Sequence, residues 1–84
     1  YSGEYCAGSE IIFEKDAGEW CASDTIDCDV YFYGRIDNDC GEGSKNTRFY
    51  SPHIQNLKQI KEVAKDSCRF YLIEKNGKHK EVFK

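Results

Sequence analysis

The sequence predicts an α+β fold: an antiparallel β-sheet with one long helix (about residues 52–67) packed on one face, a C-terminal β-hairpin, and disulfide staples. Three observations predict it. Val30 to Ile36 alternates, with Val30, Phe32 and Ile36 on one side and Tyr31, Tyr33 and Arg35 on the other. Ile54, Leu57, Ile60, Ala64 and Cys68 recur at steps of three and four, a stripe about 120° wide on a helix. Asn76-Gly77 divides two strand-like runs, as a two-residue type I′ turn does.

Each element follows in chain order. Glu10 to Lys15 (EIIFEK) reads as a strand, and Asp16 to Gly18 (DAG) as a turn. Residues 19–27 fit either a returning strand or a short helix, being too few for periodicity to arbitrate. The alternating strand follows, then a polar loop, DNDCGEGSKN, from Asp37 to Asn46, then a short strand from Thr47 to Tyr50. Ser51 suits a helix N-cap and Pro52 the first helical position, where no N–H is needed. The hairpin about Asn76-Gly77 pairs Lys75 with Lys78, Ile73 with Lys80, Tyr71 with Val82 and Phe70 with Phe83. If residues 19–27 are helical, the order is a split βαββαβ, ferredoxin-like sandwich. No internal repeat is evident.

The 84 residues read as a single domain, 1–84, with 39% apolar content, so the core is small and staples are expected. Five cysteines without a CxxC pair argue against a zinc ribbon or thioredoxin-like site and for an extracellular disulfide framework. In the ferredoxin-like order, Cys40 and Cys68 lie at one sheet edge, and Cys6 and Cys28 precede strands starting at the other. The preferred bridges are therefore Cys6–Cys28 and Cys40–Cys68, with Cys21–Cys68 as the competitor. The odd cysteine leaves a monomer or a disulfide-linked dimer. The opening at Tyr1, without methionine, reads as a processed form, and no stretch is apolar enough to span a membrane.

The net charge of −3 is unevenly spread. Residues 1–44 hold eleven acids and two bases, net −9; residues 45–84 hold ten bases and four acids, net +6. A compact fold is expected to mix the halves and partly neutralise them; the alternative is a two-faced molecule with a basic surface for a partner.

Candidate chemistry is sparse. His53 and His79 are the general acid–base candidates, and their spacing does not bring them together. Cys21 is the candidate thiol nucleophile left over by the pairing. Asp24, Asp27, Asp29, Asp37 and Asp39 read as loop and capping residues rather than a glycosidase pair, which needs a sugar-sized cleft. No cofactor or metal set is indicated. Lys58, Lys61 and Lys65 line one helix flank, and Lys75, Lys78 and Lys80 cluster on the hairpin. With Arg69 and Tyr71 nearby, they form a basic surface suited to phosphates and bases.

The order TRFYS, PHIQNLKQIKEVAKDSC, RFYLIEK, with cysteines scattered from Cys6 to Cys68, resembles small secreted cysteine-containing proteins of plant-associated fungi. The layout over residues 10–75 is most similar to the viral killer toxins of smut fungi and effectors sharing their α/β-sandwich fold. The resemblance implies a secreted, non-enzymatic effector or toxin that binds a host or competitor target, outside the cell or delivered into a host cell. It carries over no functional residue, since no motif matches. The outward row Tyr31, Tyr33 and Arg35 is the expected partner contact, because exposed tyrosine and arginine are favoured at interfaces. One alternative is a ribonuclease-like effector, similar to those of powdery mildews, binding RNA through the lysines. In those proteins Tyr-x-Cys is usual, whereas Tyr5 and Cys6 are adjacent here. Another alternative is an inhibitor of a secreted hydrolase, presenting residues 41–47.

Overall fold

A computed structural model describes residues 8–16, 18, 23–37, 40–64 and 67–83. Their elements are β1 (Glu10–Phe13), β2 (Asp29–Phe32), β3 (Arg48–Ser51), α1 (Ile54–Lys61), β4 (Arg69–Ile73) and β5 (His79–Val82). They form one five-stranded sheet in the order β1-β2-β3-β4-β5. The first four strands are parallel to their neighbours, and only β5 is antiparallel.

The antiparallel sheet and the ferredoxin-like order are thus corrected. Alternation normally marks antiparallel strands, because parallel sheets are usually buried on both faces. Here parallel strands alternate because, among the described residues, the helix covers only one face, so side-chain pattern alone gave the wrong direction. Parallel neighbours also require a crossover after each strand. Glu10, Asp29, Arg48 and Arg69 stand side by side although separated by 19, 19 and 21 residues along the chain. The chain therefore winds as stacked coils, one strand per coil, in the manner of a short solenoid. This is an internal repeat of structure, contrary to the expectation of none.

Register makes like positions meet. On the inner face, Phe13 stacks on Phe32 at 5.0 Å, Phe32 on Phe49 at 6.4 Å and Phe49 on Phe70 at 5.7 Å between ring centroids. Leu57 and Ile60 of α1 complete this core over β3 and β4. Between coils, Thr25 Oγ1 donates to Ser44 Oγ at 2.8 Å, and Thr47 Oγ1 donates to the Thr25 carbonyl at 3.2 Å. These hydroxyls are buried, so satisfying them is a condition of stacking. Gly41, with φ +79°, lets the chain pass against the core: a Cβ there would meet Ile60 Cγ2 at 2.8 Å.

The helix has eight residues rather than the sixteen or so expected. Ser51 ends β3 instead of capping the helix, and its hydroxyl accepts from His53 N at 3.1 Å. His53 holds the N-cap position. At the other end, the Val63 carbonyl accepts from Gly43 N of the preceding coil at 3.3 Å, so this backbone is drawn into the stack. Cys68 leaves the stripe and takes the position before β4, equivalent to Cys28 before β2.

No disulfide joins the described cysteines: Cys28, Cys40 and Cys68 are buried thiols. Their Sγ atoms donate to the carbonyls of Ile26 (3.3 Å), Gly18 (3.1 Å) and Ser44 (3.1 Å) respectively. The expected Cys6–Cys28, Cys40–Cys68 and Cys21–Cys68 bridges are therefore not supported. Buried cysteine here behaves as a small apolar side chain. The inter-coil ladder and the aromatic core hold the coils where staples were expected. Cys6 and Cys21 lie outside the described residues, as do residues 19–22 of the ambiguous segment.

The C-terminal hairpin is shifted by one residue from the expected register. Ile73 faces His79, Leu72 faces Lys80, Tyr71 faces Glu81 and Phe70 faces Val82. Gly77 N donates to the Glu74 carbonyl at 2.9 Å, and Glu74 N to the Lys78 carbonyl at 2.8 Å, enclosing a three-residue loop. A type I′ turn needs positive φ at both central residues, whereas only Gly77, at +84°, has it here. A one-residue slip exchanges faces. It places His79, not Lys80, beside Ile73 on the outer side of the sheet.

Candidate functional site

The outer sheet face lies opposite α1, and its side chains follow from the register. One row runs Glu10, Asp29, Arg48, Arg69; the next runs Ile12, Tyr31, Tyr50, Tyr71 and Glu81. Tyr31 stacks on Tyr50 at 4.3 Å and Tyr50 on Tyr71 at 5.1 Å, with interplanar angles of 9° and 16°. Tyr33 stacks beside Tyr31 at 6.4 Å. The face remains accessible: Ile12 is 52% and Tyr33 42% exposed.

His79 closes one side of this ladder. Its ring lies 4.9 Å from Tyr50 and 6.2 Å from Tyr31, although Tyr31 is three strands away. Strands about 4.8 Å apart would separate them by about 14 Å on a flat sheet, so the side chains lean together across the face. The tyrosine rings stand on edge and spend their flat faces on one another. What they present outward is ring edge and hydroxyl, which suits a protein surface better than the face-to-face stacking of bases.

A charged pair stiffens the ladder. Arg48 Nε donates to Asp29 Oδ1, and Tyr50 Oη donates to the same oxygen at 3.0 Å. The hydrogen bond from Arg48 holds the Asp29 carboxyl below its ordinary range, against a smaller opposing effect of burial. Burial pushes the Tyr50 phenol well up, assisted by its hydrogen bond to Asp29. Burial also raises Tyr31, with Glu10 and Asp29 adding to the effect. Both shifts favour the neutral phenol at Tyr31 and Tyr50.

Two of the cavities around the described residues lie at the ends of the central strands. One, of about 350 Å³, lies before β3 and β4 and includes Asp27, Asn46, Arg48, Arg69 and Tyr71 in its lining. Its arginines are compensated, Arg48 by Asp29 and Arg69 by Glu81 at 4.0 Å. The other, of about 590 Å³, lies beyond the ends of β2 and β3, lined by Arg35, Ile36, His53, Gln55, Asn56 and Gln59.

The sequence-derived candidates are dispersed accordingly. Tyr31 and Tyr33 lie on the outer face, but β2 ends at Phe32, so Arg35 leaves that row and enters the larger cavity. His53 lies at that cavity and His79 on the tyrosine face, in different surroundings. Lys58 and Lys61 belong to α1, and Lys61 Nζ lies 5.0 Å from the Phe83 ring, past the end of β5. Lys75 and Lys78 are at the hairpin turn, Lys80 is opposite Leu72, and Lys65 is outside the described residues. Residues 41–47 are packed between coils, with Gly41, Ser44 and Thr47 buried. Sequence reading missed Ile12, Tyr50 and His79 as members of the face. The available signal was an apolar residue followed by tyrosine at Val30-Tyr31, Phe49-Tyr50 and Phe70-Tyr71.

The stack also preserves the charge asymmetry. Strand order follows chain order, so β1 and β2 come from the acidic half of the sequence and β3, β4 and β5 from the basic half. The Asp29–Arg48 pair joins the two halves and partly neutralises them. Among the described residues, no group of three or more His, Cys, Asp or Glu is placed to hold a metal ion. Among them, too, no helix is long and apolar enough to cross a membrane. No protein-family model, curated protein or solved structure matches the chain.

Proposed function

We propose that this chain is a binding module that docks a protein partner on the outer face of its sheet and performs no chemistry of its own. The observation that carries this reading is the half-buried tyrosine ladder on the face opposite α1, Tyr31, Tyr50 and Tyr71, extended by the exposed Ile12 and Tyr33 and by His79. Tyrosine is enriched at protein interfaces because it contributes apolar area and a hydrogen bond at small entropic cost. Solenoids use their strand faces as extended binding surfaces. The charge gradient defines the complement: a partner basic over β1–β2 and acidic over β3–β5. An effector acting on a host or competitor target is one setting for such a module. The thiol state of Cys28, Cys40 and Cys68 removes the disulfide argument on which secretion rested.

The test is affinity capture with three baits: the unaltered chain, a Tyr31→Ala/Tyr33→Ala variant, and a Lys58→Ala control on α1. The expected result is a protein retained by the first and third and lost by the second, whose thermal unfolding stays near that of the unaltered chain. A partner lost with Lys58 and kept without the tyrosines overturns the reading. RNA captured by the unaltered chain, with affinity falling steeply with salt, would place phosphate contacts ahead of the sheet face.

A further inference from the structure

We propose that the cavity beyond the carboxyl ends of β2 and β3 is a second binding site, independent of the tyrosine face, for a small organic oxyanion bearing a carboxylate or phosphate group. The chain has three arginines, and their environments differ. Arg48 pairs with Asp29, and Arg69 lies 4.0 Å from Glu81. Arg35 has no ion-pair partner among the described residues, although it belongs to the half of the chain with eleven acids and two bases. Arg35 is exposed, without an ion-pair partner among the described residues, at a cavity whose described lining carries no carboxylate, and is placed to receive an anion.

The remaining lining fits that ligand. Gln55 and the second Nε2 hydrogen of Gln59 supply donors, and Ile36 supplies an apolar wall. The geometry is set in advance by hydrogen bonds that do not involve a ligand. Asn56, only 6% exposed, donates through Nδ2 to the Gly34 carbonyl at 2.7 Å and to Ser51 Oγ at 3.1 Å. His53 Nε2 donates to the Tyr33 carbonyl at 3.2 Å, and Gln59 Nε2 to the Asp37 carbonyl at 2.9 Å. Asp16 Oδ1 accepts from the Arg35 backbone N–H at 2.9 Å. A volume of about 590 Å³ is within the range of small-molecule sites. Arginine is suited to the task because its planar fork matches an oxyanion with two parallel hydrogen bonds.

The test is a titration of the intact, isotopically labelled chain, following backbone amide resonances. Potassium phosphate and potassium acetate are added in separate arms at ionic strength held constant with sodium chloride. The expected result is saturable shifts confined to residues 34–37 and 53–59, weakened about tenfold or more in Arg35→Gln and unchanged in Arg69→Gln. Saturation by phosphate alone identifies a phosphate-bearing ligand, and saturation by acetate alone a carboxylate; either supports the site. Shifts that are absent, undiminished in Arg35→Gln, or centred on Arg48 and Arg69 overturn it. The amide spectrum of each variant reports whether its fold is intact.

Discussion

The two faces of the sheet carry two aromatic ladders built on the same strands. Inside, Phe13, Phe32, Phe49 and Phe70 stack at 5.0 to 6.4 Å. Outside, Tyr31, Tyr50 and Tyr71 stack at 4.3 and 5.1 Å. Parallel register aligns Tyr31, Tyr50 and Tyr71, and likewise Phe13 with Phe32 and Phe49 with Phe70, whereas Phe32 reaches Phe49 diagonally because Phe49 faces Val30. The two ladders differ in what covers them. Phe32 and Phe49 are fully buried, whereas Tyr31, Tyr50 and Tyr71 are half-buried and, among the described residues, are crossed at one side by His79. Aromatic stacking alone therefore does not make a core. Exclusion of water does, and the outer ladder keeps its hydroxyls because it lacks that cover.

The largest test of this contrast is truncation of one ring on each face. Phe49→Ala should cost about 3–5 kcal/mol in urea unfolding, as expected for a large buried aromatic. Tyr33→Ala, at 42% exposure, should cost less than about 1 kcal/mol. Equal costs would mean that the outer face is also core. Next comes Asn56→Leu, which leaves the buried Ser51 hydroxyl and the Gly34 carbonyl without their amide donor. A loss of about 1–3 kcal/mol is expected by thermal or urea unfolding.

Smaller effects sharpen the electrostatics of the outer ladder. Tyr50→Phe removes one hydrogen bond to Asp29 and should cost about 0.5–1.5 kcal/mol. The Tyr50 phenol is raised above its ordinary value of 10.0, so the fold favours its neutral form. That contribution is complete below pH 10.0 and is lost as the pH rises toward the native value. The stability profile of Tyr50→Phe should therefore fall less steeply on the alkaline side. Asp29→Asn should cost no more than about 1 kcal/mol, because the Arg48 pair is partly exposed. Asp29 titrates below its ordinary 3.8, so its contribution is present above that pH and lost as the pH falls through the native value. Comparing acid unfolding of Asp29→Asn with the unaltered chain checks the sign.

Much of the local structure was legible. The alternation at Val30–Phe32, the apolar residues Ile54, Leu57 and Ile60, and a hairpin spanning Asn76-Gly77 all correspond to structure. Strand direction was not legible, because four residues of alternation carry no information about which neighbour they pair with. The repeat was hidden because its coils share classes of residue rather than identities. Cys28, Thr47 and Cys68 are equivalent, as are Asp27, Asn46 and Ser67. Cysteine count misled because three buried thiols serve as core atoms. Of the site, Tyr31 and Tyr33 were identified from one strand, but Tyr50 and Tyr71 needed the register, and Arg35 needed the end of β2.

The β4–β5 hairpin also bears on how the chain assembles. It is the sheet's only pairing closed by a short loop; every other strand pair spans about twenty residues. Closing a short loop costs less entropy and takes less time than closing a coil. The hairpin is therefore the expected seed, with β3, β2 and β1 adding to it in turn. Pulse-labelled hydrogen exchange during refolding should find β4 and β5 protected before β1. In this protein the sheet would then grow from its C-terminal end, against the order in which a ribosome delivers the strands.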